Sequence, residues 1–257
     1  MVKIIKVKTE SIFTPTEISD CIYSIDHYVG CQHACLYCYA RFLCKWRMHG
    51  KWGSWVEAKI NAPELVKNKF IHGKVRMSTV SDPYQPVEKK LMLTRRVLES
   101  MHKDINLSIL TKSDLIIRDI DILRKFRNLE VGLNVSGLQG RLKEIFEPFP
   151  PSHDRRIRAL EELYNSGIKT YCYISPVIPE LVDVNGIIDN LRDIVNYFMV
   201  EFVNFKAAGI EFINALKKTY PRSYEILTDK EAFISYVGEV IGNIEGVRVR
   251  FVFHKPK

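Results

Sequence analysis

Three thiols stand close together in the chain: Cys31, Cys35 and Cys38 occupy the spacing C-x3-C-x2-C within Gly30-Cys31-Gln32-His33-Ala34-Cys35-Leu36-Tyr37-Cys38-Tyr39-Ala40. Thiolates are the usual protein ligands of iron–sulfur clusters, and this spacing puts three of them on one loop. A cubane cluster has four irons, so three local cysteines leave one iron open. An open iron can bind a small molecule and pass it an electron directly, chemistry that no side chain supplies by itself. Where the loop runs into a helix, backbone N–H groups can also point at the anionic sulfurs. Two other uses compete. Structural zinc prefers ligands in separated pairs, and no second C-x2-C or H-x3-H follows, although His33 or His27 could complete a set of four. Buried core thiols are the third reading, and three of them at this spacing beside Gln32 and His33 fit it worst.

Such a loop needs a scaffold that brings distant polar residues to it. Short β-rich runs alternate with amphipathic stretches every ~25–35 residues, the length of a βα unit. Six runs read as strands, at residues 21–25, 75–80, 106–111, 129–135, 169–174 and 201–205, and a β-rich run at 247–253 reads as an edge strand. Ser152 is placed to cap a helix carrying Ile157, Leu160, Leu163 and Tyr164, with Gly167 where a left-handed C-terminal cap is wanted. Ser113 is placed to cap another, carrying Ile116, Ile120 and Leu123. Consecutive βα units close into a barrel or open into a doubly wound sheet, and in both the site lies at the carboxyl ends of the strands. The Pro-rich stretch 147–151 reads as a loop, and no shift in composition marks a linker. The chain therefore reads as one α/β domain over 1–257, with a core over about 20–210 and a C-terminal extension of helix and strand over about 211–257.

With 257 residues, 46% hydrophobic and 26% charged, the chain has the composition of a folded globular protein, which excludes disorder and fibrous structure. No apolar stretch approaches the ~18 residues of a membrane span, and residues 1–10 alternate Lys with Ile and Val where a signal peptide would have an apolar core. The expected location is the reducing cytoplasm, with no membrane partner. Lys and Arg exceed Asp and Glu by 38 to 30, a net charge of +8. That balance admits nucleic acid or an acidic electron-donor protein as partner, a statement about association and not about fold.

Residues 45–55 gather all three tryptophans, Trp46, Trp52 and Trp55, among Lys45, Arg47, Lys51 and His49. Such a mixture can stack bases and neutralise phosphates. The favoured reading is packing, with Trp46 completing an apolar helix face with Tyr39, Phe42 and Leu43, and the other two under a loop. Basic clusters at Lys89-Lys90, Arg95-Arg96, 124–127 and 155–158 read as solvated helix faces. Cys21, Cys44 and Cys172 read as core thiols, with Cys44 near enough in sequence to lie beside the loop.

Five motifs occur in order along residues 20 to 185: Gly30-Cys31 through Tyr39-Ala40-Arg41; Ser81-Asp82-Pro83-Tyr84-Gln85-Pro86; Leu110-Thr111-Lys112-Ser113 with Arg118-Asp119; Glu147-Pro148 with Arg155-Arg156; and Ser175-Pro176 with Ile178-Pro179. Together they resemble the radical S-adenosylmethionine superfamily, in the branch similar to spore photoproduct lyase. The resemblance implies a partial (β/α)6 barrel. It implies a [4Fe-4S] cluster on Cys31, Cys35 and Cys38 that holds S-adenosyl-L-methionine, receives an electron from a ferredoxin- or flavodoxin-like donor, and cleaves the sulfonium to methionine and a 5′-deoxyadenosyl radical. It places Tyr37, Ser81, Asp82, Lys112 and Ser136 at the cofactor. Physical reading agrees that Lys112 can neutralise a carboxylate and that the hydroxyls can meet those of a ribose, although turn and cap duties use the same residue types.

The departures carry as much. Lyases of this branch that repair DNA have a hydrogen-donating Cys two positions before the residue matching Ser81, and here that position is Thr79. The resemblance thus implies an enzyme with an unassigned substrate, possessing lyase-like architecture without the thiol of lesion repair. Glu180-Leu181 replace a usual Gly in the loop after the fifth strand, with Asp183 retained; Tyr39 keeps the aromatic beside the last cysteine. The alternative reading is a nucleic-acid-binding protein with a structural metal site, resting on the net charge and the tryptophan segment.

Overall fold

The computed structural model describes residues 2–16, 18 and 20–254, apart from the side chains of Trp46 and Lys206. The role read for Trp46 lies outside what is described. Eleven strands occur among the described residues: β1 (Lys3–Val7), β2 (Phe13–Pro15), β3 (Cys21–Ile25), β4 (Tyr28–Val29), β5 (Trp55–Lys59), β6 (Lys74–Met77), β7 (Asn106–Thr111), β8 (Leu129–Asn134), β9 (Lys169–Val177), β10 (Tyr197–Phe202) and β11 (Val249–Val252). The main sheet has the order β11-β10-β9-β8-β7-β6-β3-β2, and a smaller sheet has the order β1-β5-β4. From β3 to β11 every pairing in the main sheet is parallel; β2 joins β3 antiparallel.

The main sheet curls. Flat, the six spacings between β3 and β11 would separate them by ~29 Å. Yet Asp20, just before β3, forms an ion pair with Arg250 of β11 at 3.6 Å, and Lys74 of β6 meets Asp20 at 2.8 Å and Glu130 of β8 at 2.5 Å. These contacts tie the amino ends of the strands across the inside of a partial barrel. Within β6 the alternation shows the two faces: Val75 and Met77 are fully buried in the apolar core, while Lys74 and Arg76 keep some accessible surface. Among the described residues no helix is long and apolar enough to cross a membrane.

The six expected barrel strands and the edge strand are present, with informative shifts at their ends. β6 stops at Met77, not residue 80, because Ser78 takes a left-handed φ of +67° and turns the chain out of the ladder. The sixth strand runs over Tyr197–Phe202, earlier than the expected 201–205: Asn204 accepts a hydrogen bond from the Ala207 N–H and starts the helix Phe205–Ala208. The helix after Ser152 forms over His153–Asn165 with Gly167 at φ +77°, although the Ser152 hydroxyl makes no capping bond. Ser113 does cap, accepting from Leu115 N–H, but the segment is a 3-10 turn, Asp114–Asp119, that continues into the helix Ile120–Leu123. Helices Ile210–Thr219, Pro221–Thr228 and Lys230–Gly242 precede β11, matching the helix-then-strand reading of this region.

Four strands, β1, β2, β4 and β5, were not expected. β5 is buried along its whole length because β1 and β4 flank it. Beside it His27 is fully buried, its Nε2 2.8 Å from Thr94 Oγ1 and its Nδ1 without a partner. Burial, and then the charge of Lys59, press its pKa down to about 3. The unfolded chain takes up this proton near pH 6.5, the folded one only near 3. The stabilisation is therefore present above 6.5 and is lost as pH falls toward 3. Between pH 7 and 5 we expect His27 to cost roughly 2 kcal/mol. Unfolding free energies from urea titrations at the two pH values should converge by that amount in His27→Gln; an unchanged pH dependence would remove His27 as the cause.

Candidate cofactor site at the carboxyl ends of the strands

The cysteine loop leaves β4 at Gly30, whose φ of +82° and whose lack of a Cβ are both required: an added methyl would lie 2.8 Å from the Trp55 ring and carbonyl. Gly30 N–H donates to the Val80 carbonyl (3.3 Å), and Gln85 brackets the loop, accepting from Gln32 N–H at 2.9 Å and donating to the Gly30 carbonyl at 3.1 Å. Leu36 N–H donates to the Phe146 carbonyl at 2.9 Å. Trp55 is fully buried with Trp52 edge-on at 6.3 Å, and Gly53 packs against Ala34. Trp52 and Trp55 thus buttress the loop, which is the packing role read from sequence for these two.

Cys31 and Cys35 are buried and Cys38 partly so. Burial raises all three thiols; Asp82 adds to this at Cys31 and Glu147 at Cys35, while Lys112 and Arg41 oppose it at Cys38. No three His, Cys, Asp or Glu side chains among the described residues gather as ligands of a single metal ion.

Three of the residues named from sequence meet at one carboxylate that was quoted only as part of a motif. Glu147, fully buried after the helix Gly140–Phe146, accepts a hydrogen bond from the Tyr37 hydroxyl and one from Ser136 Oγ (3.1 Å), and Lys112 Nζ lies 3.6 Å away. Arg156, also buried, donates to Glu147 Oε2 at 2.5 Å, to the Asn134 carbonyl at 3.2 Å and to the Pro151 carbonyl at 2.9 Å. Lys112 Nζ also stands 5.6 Å over the Tyr37 ring. Burial pushes the Glu147 pKa up, but Arg156 and Lys112 outweigh it and hold the carboxyl at about 2.

Asp82 and Ser81 divide differently. Asp82 accepts from Thr111 Oγ1 (2.6 Å), Lys112 N–H (2.8 Å) and Tyr84 N–H (2.8 Å), and His33 Nε2 lies 3.3 Å from it. It joins the loops after β6 and β7 to the cysteine loop, and His33, weighed from sequence as a zinc ligand, stands at Asp82 instead. The Ser81 hydroxyl is buried with no protein partner, as is Asn134 Oδ1 at the end of β8. Thr79 donates both its N–H (2.6 Å) and its hydroxyl (2.9 Å) to Asp26. Two surface hollows of about 560 and 420 Å³ lie at the other end of the strands, lined by residues such as Asn106, Arg127 and Lys169, far from this chemistry.

A family model, the radical SAM superfamily, matches residues 25–189. The chain belongs to the radical SAM superfamily. It is 51% identical over 244 residues to an uncharacterized protein of Methanocaldococcus jannaschii, covering 95% of this chain and 94% of that one. It is 26% identical over 222 residues to an uncharacterized protein of Acidianus two-tailed virus, covering 78% and 73%. Among solved structures, spore photoproduct lyase complexed with dinucleoside spore photoproduct superimposes with a TM-score of 0.63 at 15% identity, covering 97% of this chain and 82% of that one, a likeness of fold.

As a radical SAM enzyme the chain performs radical chemistry by cleaving S-adenosylmethionine, and the superfamily implies the cluster and an external electron donor. The residues present fit both groups. Three thiols on one loop would supply the cluster's donors, and the orphaned oxygens of Ser81 and Asn134 are buried polar atoms that a ligand would satisfy.

Proposed function

We propose that Cys31, Cys35 and Cys38 hold the [4Fe-4S] cluster, that S-adenosylmethionine binds between it and the Ser81, Lys112 and Ser136 loops, and that the substrate is an organic molecule enclosed by the barrel. The observation that carries this reading is the meeting of Tyr37, Lys112 and Ser136 on Glu147 beside the cysteine loop. When bound, the cluster and cofactor supply reductive cleavage of the sulfonium and a 5′-deoxyadenosyl radical for hydrogen abstraction. The chain's own part is placement and charge. Lys112, 3.6 Å from Glu147, offers an ammonium to the methionine carboxylate. Ser81 and Ser136 offer hydroxyls, and Tyr37 an aromatic ring whose hydroxyl is fixed by Glu147. Asp82 acts through others, setting the Lys112 backbone and His33.

Three thiols on one loop with no second ligand pair favour a cluster over a structural zinc ion, which prefers ligands in separated pairs. Lesion repair through a thiol just after the second barrel strand is not supported, because that position is Thr79, whose hydroxyl donates to Asp26. Spore photoproduct lyase is complexed with a dinucleoside and the Streptococcus suis protein SuiB with a precursor peptide, so the shared barrel admits very different substrates. Nucleic acid is not favoured by the tryptophan segment, since Trp52 and Trp55 are used in packing. A ferredoxin- or flavodoxin-like donor in the cytoplasm would supply the electron.

The test is anaerobic reconstitution with iron and sulfide, then dithionite and S-adenosylmethionine, with chromatography for 5′-deoxyadenosine. Product and ~4 irons per chain are expected. A zinc-loaded protein without product would return the weight to a structural metal. Mobility shifts of oligonucleotides at two salt concentrations test the nucleic-acid partner, and no shift at low salt would exclude it.

A further inference from the structure

Arg76 projects from the middle of β6 between Ser24 of β3 and Ser108 of β7, its partners in register, whose small side chains leave its shaft room inside the barrel. Its Nη1 donates to the Tyr171 hydroxyl at 3.4 Å. Tyr171 can lie there because Gly132 has no side chain: a methyl on Gly132 would sit 2.2 Å from the tyrosine ring. Other arginines around the core are matched with carboxylates: Arg156 with Glu147, Arg118 with Glu88 and Asp119, Arg41 with Glu211. Arg76 has no ion pair among those found in the described residues. The carboxylates of the barrel interior are already engaged. Glu201 accepts from Tyr173 (2.7 Å) and Ser175 (2.5 Å) and meets His254 at 2.8 Å; Glu130 pairs with Lys74 and Lys169; Asp26 takes Ser24 and Thr79. Arg76 itself keeps some accessible surface, and Tyr39, which lies near it, keeps 44% of its own.

A partly buried guanidinium without a counter-charge is costly, and its planar fork matches a phosphate or carboxylate. We propose that Arg76 anchors an anionic group of the substrate, a phosphate or a carboxylate, inside the barrel and below the cofactor loops. Arg76 is then a specificity-determining residue, and the abstracted hydrogen belongs to a carbon on the cofactor side of that anion. The inference rests on the reading that the substrate enters the barrel, but its test does not need turnover.

The test uses the reconstituted enzyme with S-adenosylmethionine and no reductant. Inorganic phosphate is followed by phosphorus resonance line width and malonate by titration calorimetry, in wild type and Arg76→Met. Wild type should bind at least one probe saturably, and the preferred one names the source of the charge. Arg76→Met should weaken that binding more than ~10-fold while its thermal midpoint stays at or above that of wild type, because an uncompensated cation has been removed. Equal binding by the variant, or no binding of either probe by wild type, overturns the proposal. So does loss of folding in the variant, seen by circular dichroism and iron content, since it would make Arg76 a structural residue. Failure of 5′-deoxyadenosine formation would instead count against the cofactor reading alone.

Discussion

Alanine at any one of Cys31, Cys35 or Cys38 is expected to lower 5′-deoxyadenosine formation by more than ~100-fold, since loss of a mere outer-shell partner already costs 10–100-fold at metal sites. The reason is arithmetic. Three local thiols are the whole protein ligand set the loop offers, and the fourth iron must stay open for the cofactor, so no spare ligand can replace a lost one. Cys44 is the nearest substitute in sequence, but it is buried against Val29 and Trp55 with its sulfur 4.0 Å from the Val80 carbonyl, and Cys172 lies in the apolar core. Cys172→Ala should therefore keep its iron and its product, with at most a stability loss from the small cavity. The measurement is iron content and 5′-deoxyadenosine per chain after anaerobic reconstitution. A Cys35→Ala protein with four irons and normal product would overturn the ligand assignment.

The barrel was legible because each strand of it announces itself locally: a short apolar run such as 106–111, bounded by polar residues and followed by a cap such as Ser113, is fixed by its own residues. The smaller sheet was not legible for the opposite reason. β4 has only Tyr28 and Val29, and β5 begins at the last tryptophan of a basic, glycine-bearing segment; both become strands through partners distant in sequence, such as Lys3–Val7. At the site, thiol spacing and the polar residues after each strand could be read, since the carboxyl ends of parallel strands converge in any barrel. What could not be read was which of them touch. Glu147 follows a short helix that was not expected, and only the fold shows that it takes the Tyr37, Ser136, Lys112 and Arg156 side chains at once. Pro148 after it and two arginines one helix later were the available signal. Arg76 gave none: in sequence it is one more base in a basic chain, and its lack of a carboxylate is visible only among its neighbours.

Glu147→Gln is expected to destabilise the protein by about 3–5 kcal/mol, the cost of breaking a buried ion pair from one side. Arg156 is 1% exposed and Glu147 not at all, so water cannot take over the guanidinium when the carboxylate is lost. The amide that replaces it presents a donor toward Arg156 or toward Tyr37 and Ser136, which all donate now. Titration gives the same scale. A carboxyl held at about 2 against an ordinary 4.5 contributes ~3 kcal/mol that is fully present above pH 4.5 and is lost as pH falls through 2. The companion variant separates charge from packing. Glu147→Gln with Arg156→Met removes both members of the pair, and it should be more stable than Glu147→Gln alone because no unmatched guanidinium remains. Guanidinium denaturation of the cluster-free proteins measures both without interference from the metal. If Glu147→Gln lies within ~1 kcal/mol of wild type, the carboxylate is a bystander, and the joining of the cysteine loop to Lys112 and Ser136 must rest on backbone contacts instead. The expected result makes one buried charge pair the joint between the cysteine loop and the strand ends that carry Lys112 and Ser136.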